Sequence, residues 1–68
     1  MFVIENNIKT YRQLKGLTQE QFAKAINVSR QTIVAIEKGG YEPSLRLAHT
    51  IATFFDVSIE TIFQFKDK

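Results

Sequence analysis

Residues 17–40 read LTQEQFAKAINVSRQTIVAIEKGG, and this stretch decides the fold. Thr18 stands three residues before Gln21, the spacing of a capping box, so a helix is predicted over 19–26 with Phe22, Ala23 and Ile26 facing inward. Asn27 tolerates the left-handed backbone conformation and can end that helix in a tight turn. Val28 plugs the turn and Ser29 offers a second cap. The next helix is predicted over 30–38 and stops at Gly39-Gly40. Two helices joined by a three-residue turn of this kind form a helix-turn-helix pattern.

The flanks extend the pattern in both directions. Phe2 to Asn6 alternates apolar and polar positions, a short strand signal, and Asn6-Asn7 offers a turn and a helix cap. Ile8, Tyr11, Arg12 and Lys15 recur at helical spacing over 8–15, ended by Gly16. On the other side Tyr41-Glu42-Pro43 makes a loop, because the residue before proline avoids the helical region. Ser44 caps a helix over 45–55, whose core stripe is Leu45, Ala48, Ile51, Ala52 and Phe55. Asp56-Val57-Ser58 turns into a short helix over 59–63, after which Phe63 and Phe65 alternate with Gln64 and Lys66 as a second strand. Two isolated strands at the ends can satisfy each other only by pairing. The expected fold is therefore mostly α, a single domain over 1–68: a five-helix bundle closed by a short antiparallel two-stranded ribbon formed by the chain termini.

Composition narrows the function. The chain has 68 residues, 44% of them hydrophobic, with no cysteine and one histidine, His49. A disulfide framework, a thiolate metal site and a one-residue zinc site are excluded, and no metal is expected. No apolar run approaches the roughly 20 residues that span a bilayer, so a soluble cytoplasmic protein is expected. Glu20, Glu42 and Glu60 have no His or Cys at useful spacing, so the chain does not read as an enzyme, and no cofactor or small-molecule ligand is expected. Net charge is +2, but residues 8–47 hold seven basic residues against three acidic, and the two ends hold two against four. A basic middle suits a polyanionic partner.

On a helical wheel of 30–38, Thr32, Ile33 and Ile36 face the core, whereas Gln31, Val34, Ala35 and Lys38 face outward with Arg30 at the flank. Arginine can bond guanine O6 and N7 in the major groove, and glutamine can bond adenine N6 and N7. Small apolar groups such as Val34 and Ala35 suit thymine methyls.

With Leu17-Thr18-Gln19-Glu20-Gln21-Phe22-Ala23, Val28 to Ile33, Ile36 to Gly39 and Pro43-Ser44-Leu45 in place, the chain resembles the Cro-and-repressor (XRE-type) helix-turn-helix regulators over residues 8–63. Ala23 occupies the motif's small-residue place, and Asn27 stands where the family usually has Gly. The resemblance implies a repressor-like bundle that binds double-stranded DNA. It places Ser29, Arg30, Gln31 and Ala35 against bases, and the outward Val34 joins them from its place on the wheel. It places Gln19, Tyr41 and Ser44 against phosphates, with Lys38 and Arg46 as further phosphate partners. Arg12 lies on the inward stripe of the first helix, where an unpartnered guanidinium is very costly. The resemblance implies that it pairs with Glu37.

The implied function is a sequence-specific transcriptional regulator, a homodimeric repressor on an inverted repeat, with half-sites about 34–36 Å apart. The dimer surface is expected at Leu47, Phe54, Ile59, Ile62 and Phe63, more apolar surface than one small core can cover. Two rival functions are an antitoxin or immunity-type regulator with a protein partner, and a protein-interaction module without DNA binding. Arg30-Gln31 speaks against the second.

Overall fold

A computed structural model describes residues 2–67. Residues 1 and 68 of the expected domain, and the side chain of Phe2, lie outside the described part. The chain runs β1 (Phe2–Asn6), α1 (Ile8–Leu14), α2 (Gln19–Ala25), α3 (Arg30–Lys38), α4 (Leu45–Phe54), α5 (Ile59–Ile62) and β2 (Phe63–Asp67). The two strands pair antiparallel, with Ile4 opposite Phe65 and Asn6 opposite Phe63. Five helices and a terminal ribbon are the architecture expected from the sequence, with helix ends differing by a residue or so.

Local chemistry sets each boundary. Thr18 Oγ1 accepts from Gln21 N–H at 3.0 Å and Gln21 Oε1 accepts from Thr18 N–H at 2.8 Å, completing the capping box. Ser29, Ser44 and Ser58 cap α3, α4 and α5 through the backbone N–H groups of Thr32, Leu47 and Thr61. Asn27 adopts φ 62°, the left-handed value that the turn between α2 and α3 requires, and Gly39 adopts φ 85° where α3 stops. Asp56 does the same at φ 58°, ending α4.

Of Asn6 and Asn7, it is the Asn6 side chain that serves the start of α1. Asn7 makes no side-chain cap. Asn6 Oδ1 instead accepts from Ile8 N–H at 3.2 Å, and Asn6 Nδ2 donates to the Ile36 carbonyl at 2.9 Å, tying β1 to the end of α3.

The core consists of Ile8, Phe22, Ala23, Ile33, Ile36, Ala48, Ile51, Phe55, Ile62 and Phe63. Phe22 is fully buried, its ring 5.0 Å from Phe55 and 5.3 Å from Phe54. Burial of such a side chain contributes about 1.5–3 kcal/mol. Ala23, on the buried face of α2, is small enough for α3 to pack closely, and its carbonyl accepts from Val28 N–H at 2.9 Å.

Two sequence expectations are corrected here. Leu45 is not part of the core stripe: it is 79% exposed, and from this end of α4 it is Leu47 and Ala48 that reach the core. Ile62 and Phe63 are not surface residues available to a second chain: they are 0% and 4% exposed. The short α5 turns them inward, and Phe63 opens β2 beneath Asn6 of the paired strand.

Candidate nucleic-acid interface

α3 is held from behind by Ile33 and Ile36, both buried, and its opposite side faces solvent. Arg30 and Gln31 are exposed and make no side-chain hydrogen bond or ion pair among the described residues. Val34 and Ala35 are half-buried. Gln31, Thr32 and Ala35 line a shallow depression of about 260 Å³ together with Tyr41 from the following loop. Two of the expected base readers, Gln31 and Ala35, thus share this depression with one expected phosphate partner, although Tyr41 is ten residues from Gln31 in sequence.

Ser29 has a local task. Its Oγ accepts from Thr32 N–H at 3.1 Å and lies 2.9 Å from Thr32 Oγ1. Ser44 Oγ is likewise engaged with Leu47 N–H at 3.1 Å. Lys38 and Arg46 are exposed at the end of α3 and the start of α4, on either side of the loop that carries Tyr41.

Behind this face lies a buried charge network. Arg12 Nε donates to Glu37 Oε2 at 2.8 Å, and an Arg12 terminal nitrogen donates to Glu37 Oε1 at 3.2 Å. The other terminal nitrogen donates to the Leu17 carbonyl at 2.9 Å. The two side chains are 9% and 7% exposed. Arg12 and Glu37 form the ion pair expected of them, in the bidentate geometry that suits a guanidinium and a carboxylate. The network has a fourth member that sequence reading missed: Gln19 Nε2 donates to Glu37 Oε1 at 3.2 Å. Nothing in the linear sequence marks that contact, since the two residues lie on different helices.

Of the expected dimer residues, Ile59 and Phe63 line one groove and Phe54 lines another. Leu47, Phe54 and Ile59 pack half-buried against the core. Phe54 lines a depression with Ala25, Ile26, His49, Thr50 and Thr53, and the Lys15 ammonium sits 5.7 Å from its ring centroid. Ile59 lines a different groove, of about 240 Å³, with Ile4, Pro43, Leu45, Ala48, Phe63 and Phe65. Leu45 and Phe65, the latter 63% exposed, are large apolar residues exposed at this groove. Among the described residues no cluster of His, Asp and Glu could hold a metal ion, and no helix is long and apolar enough to cross a membrane.

Comparison with known proteins agrees with this geometry. A helix-turn-helix family model matches residues 8–62. An HTH-type transcriptional regulator of Methanocaldococcus jannaschii, itself uncharacterised, is 59% identical over 94% of this chain and 97% of its own length. The cryptic phage CTXphi transcriptional repressor of Vibrio cholerae is 33% identical over 84% of this chain and 51% of its own length. A crystal structure from Bacteroides fragilis superposes with TM-score 0.79 and 22% identity, covering 91% of this chain and all of the other, and establishes the likeness of fold. The capped, left-handed turn between α2 and α3, the buried inner face of α3 and the family match converge: the chain belongs to the helix-turn-helix family of Cro-and-repressor type, a family of DNA-binding transcriptional regulators and not of enzymes.

Proposed function

We propose that this protein is a sequence-specific, double-stranded-DNA-binding repressor that lays α3 in the major groove. The observation that carries this reading is the free, exposed pair Arg30 and Gln31 at the start of a helix whose inner face is locked into the core. Arg30 bonds a guanine edge and Gln31 an adenine edge, while Val34 and Ala35 approach thymine methyls. Ser29 contributes chiefly by capping α3, its hydroxyl standing beside the groove. Gln19, Lys38, Tyr41, Ser44 and Arg46 hold phosphates and so set the register. Repression proceeds by occluding a promoter, a role supported by the repressor relative from Vibrio cholerae. The site of action is the cytoplasm.

The protein acts as a homodimer on an inverted repeat, because one such domain reads only one half-site and two-fold symmetry doubles the contact. The surface that favours a second copy is the groove bordered by Pro43, Leu45, Ile59 and Phe65. A protruding Leu45 beside a recess on the same face is self-complementary, as a two-fold interface demands.

Selection of bound duplexes from a random pool tests this function. The expected product is an inverted repeat with half-site centres about 10–10.5 base pairs apart. Enrichment of no sequence overturns specific reading, and a lone half-site overturns the dimer.

A further inference from the structure

The Arg12–Glu37 pair does more than pin helices together. Glu37 Oε1 receives an Arg12 nitrogen and the Gln19 amide nitrogen at the same distance, 3.2 Å. A carboxylate only accepts hydrogen bonds, so it can hold Gln19 only through Nε2, which fixes which end of the amide faces inward. That nitrogen carries two hydrogens, and Glu37 uses one. The second is left for an acceptor outside the protein. The rotamer freedom that a solvated glutamine loses on meeting a phosphate is already lost in the fold. Charge fits the same arrangement. A bare carboxylate next to a DNA phosphate repels it, but Arg12 spans both Glu37 oxygens and cancels the charge.

We propose that Glu37 is a positioning residue for the DNA backbone: neutralised by Arg12, it holds one amide hydrogen of Gln19 so that the other is presented to a phosphate oxygen. This inference rests on the DNA-binding reading above and extends it to residues that never touch DNA.

The test is a double-mutant cycle in duplex affinity, using a mixed-sequence DNA duplex long enough for two half-sites. Removing Glu37 alone strands a buried guanidinium, so the informative variant replaces both partners, Arg12→Met with Glu37→Met. Apolar replacement of a buried pair is often tolerated, and the net charge is unchanged. Gln19→Ala should weaken binding by about 2–10-fold, the worth of one hydrogen bond. The Met pair should weaken it by a similar factor at unchanged salt slope. Combining the two should cause no further loss.

A Met pair that binds as tightly as the parent, or that loses affinity equally with and without Gln19, overturns the proposal. Should the Met pair fail to fold, the Gln19 side-chain amide of the unaltered protein decides by NMR. The proposal expects a rigid amide in the free protein, one of whose two protons shifts on adding duplex; an amide as mobile as that of the exposed Gln13 overturns it. A neutral Gln19→Ala in a protein that binds duplex removes this proposal and leaves the DNA-binding reading standing. An unaltered protein with no affinity for duplex removes both.

Discussion

Asn6 and Ile36 are joined across the domain by a hydrogen bond of 2.9 Å from the Asn6 amide to the Ile36 carbonyl. The same side chain accepts from Ile8 N–H, so one residue starts α1 and steadies the end of α3. The Ile36 carbonyl also accepts from Gly39 N–H, so losing Asn6 does not strand it. Asn6→Ala should therefore destabilise the protein by about 1–2 kcal/mol in denaturant unfolding. Asn6→Asp keeps the acceptor for Ile8 but cannot donate to Ile36. An aspartate variant as stable as the parent would show that only the cap matters.

Arg12 and Glu37 should be strongly coupled in stability. Each alone, replaced by alanine, leaves a buried charge without its partner, at roughly 3–5 kcal/mol. The double variant should lose much less than the two single losses combined. Denaturant unfolding of all four proteins measures the coupling, and additivity within about 0.5 kcal/mol would identify two independent residues.

Reading and holding should separate on DNA. Arg30→Ala and Gln31→Ala should each lose about 1–3 kcal/mol on the selected site and relax preference at one base position per half-site. Gln19→Ala should weaken binding to all sequences alike. Lys38→Ala should also reduce the salt slope by about one unit. Binding to a panel of single-base operator changes at several salt concentrations checks all four. A uniform loss for Gln31→Ala with an altered base preference for Gln19→Ala would reverse the assignment of the two helices.

Leu45→Lys should dissociate the proposed homodimer and leave the fold intact, since the side chain is almost free of the core. Ile62→Ala should do something different: it should destabilise each chain by roughly 2–5 kcal/mol, as a core cavity does. Sedimentation at micromolar concentration and thermal unfolding distinguish the two. A Leu45→Lys protein that stays dimeric moves the interface elsewhere.

The elements legible in the sequence were those set by local chemistry. Thr18 with Gln21, Ser29, Asn27 and Gly39 each act within a few residues of themselves, and α3 begins and ends where they place it. The inward position of Arg12 shows that its guanidinium needs a partner, whereas the identity of that partner, Glu37, came from the family resemblance. Features that depend on how elements meet were not legible. Helical spacing gave Leu45 the same phase as Ala48, but not how far the core extends along α4. An apolar α5 looked like spare surface because its own core contacts come from α4 and the ribbon. The Gln19–Glu37 bond joins the start of one helix to the end of another, and only the crossing of α2 and α3 brings them together.

The terminal ribbon has a kinetic consequence. β1 and β2 join opposite ends of the chain, whereas the contacts of α2 with α3 and of α4 with α5 are between neighbours. Closing the longest loop is entropically the most demanding step, so the helices are expected to assemble before the strands zip. Weakening the Ile4–Phe65 pairing should then hasten unfolding and leave the folding rate nearly unchanged. β1 and β2 are thus expected to act as a clasp that governs how long each folded molecule lasts.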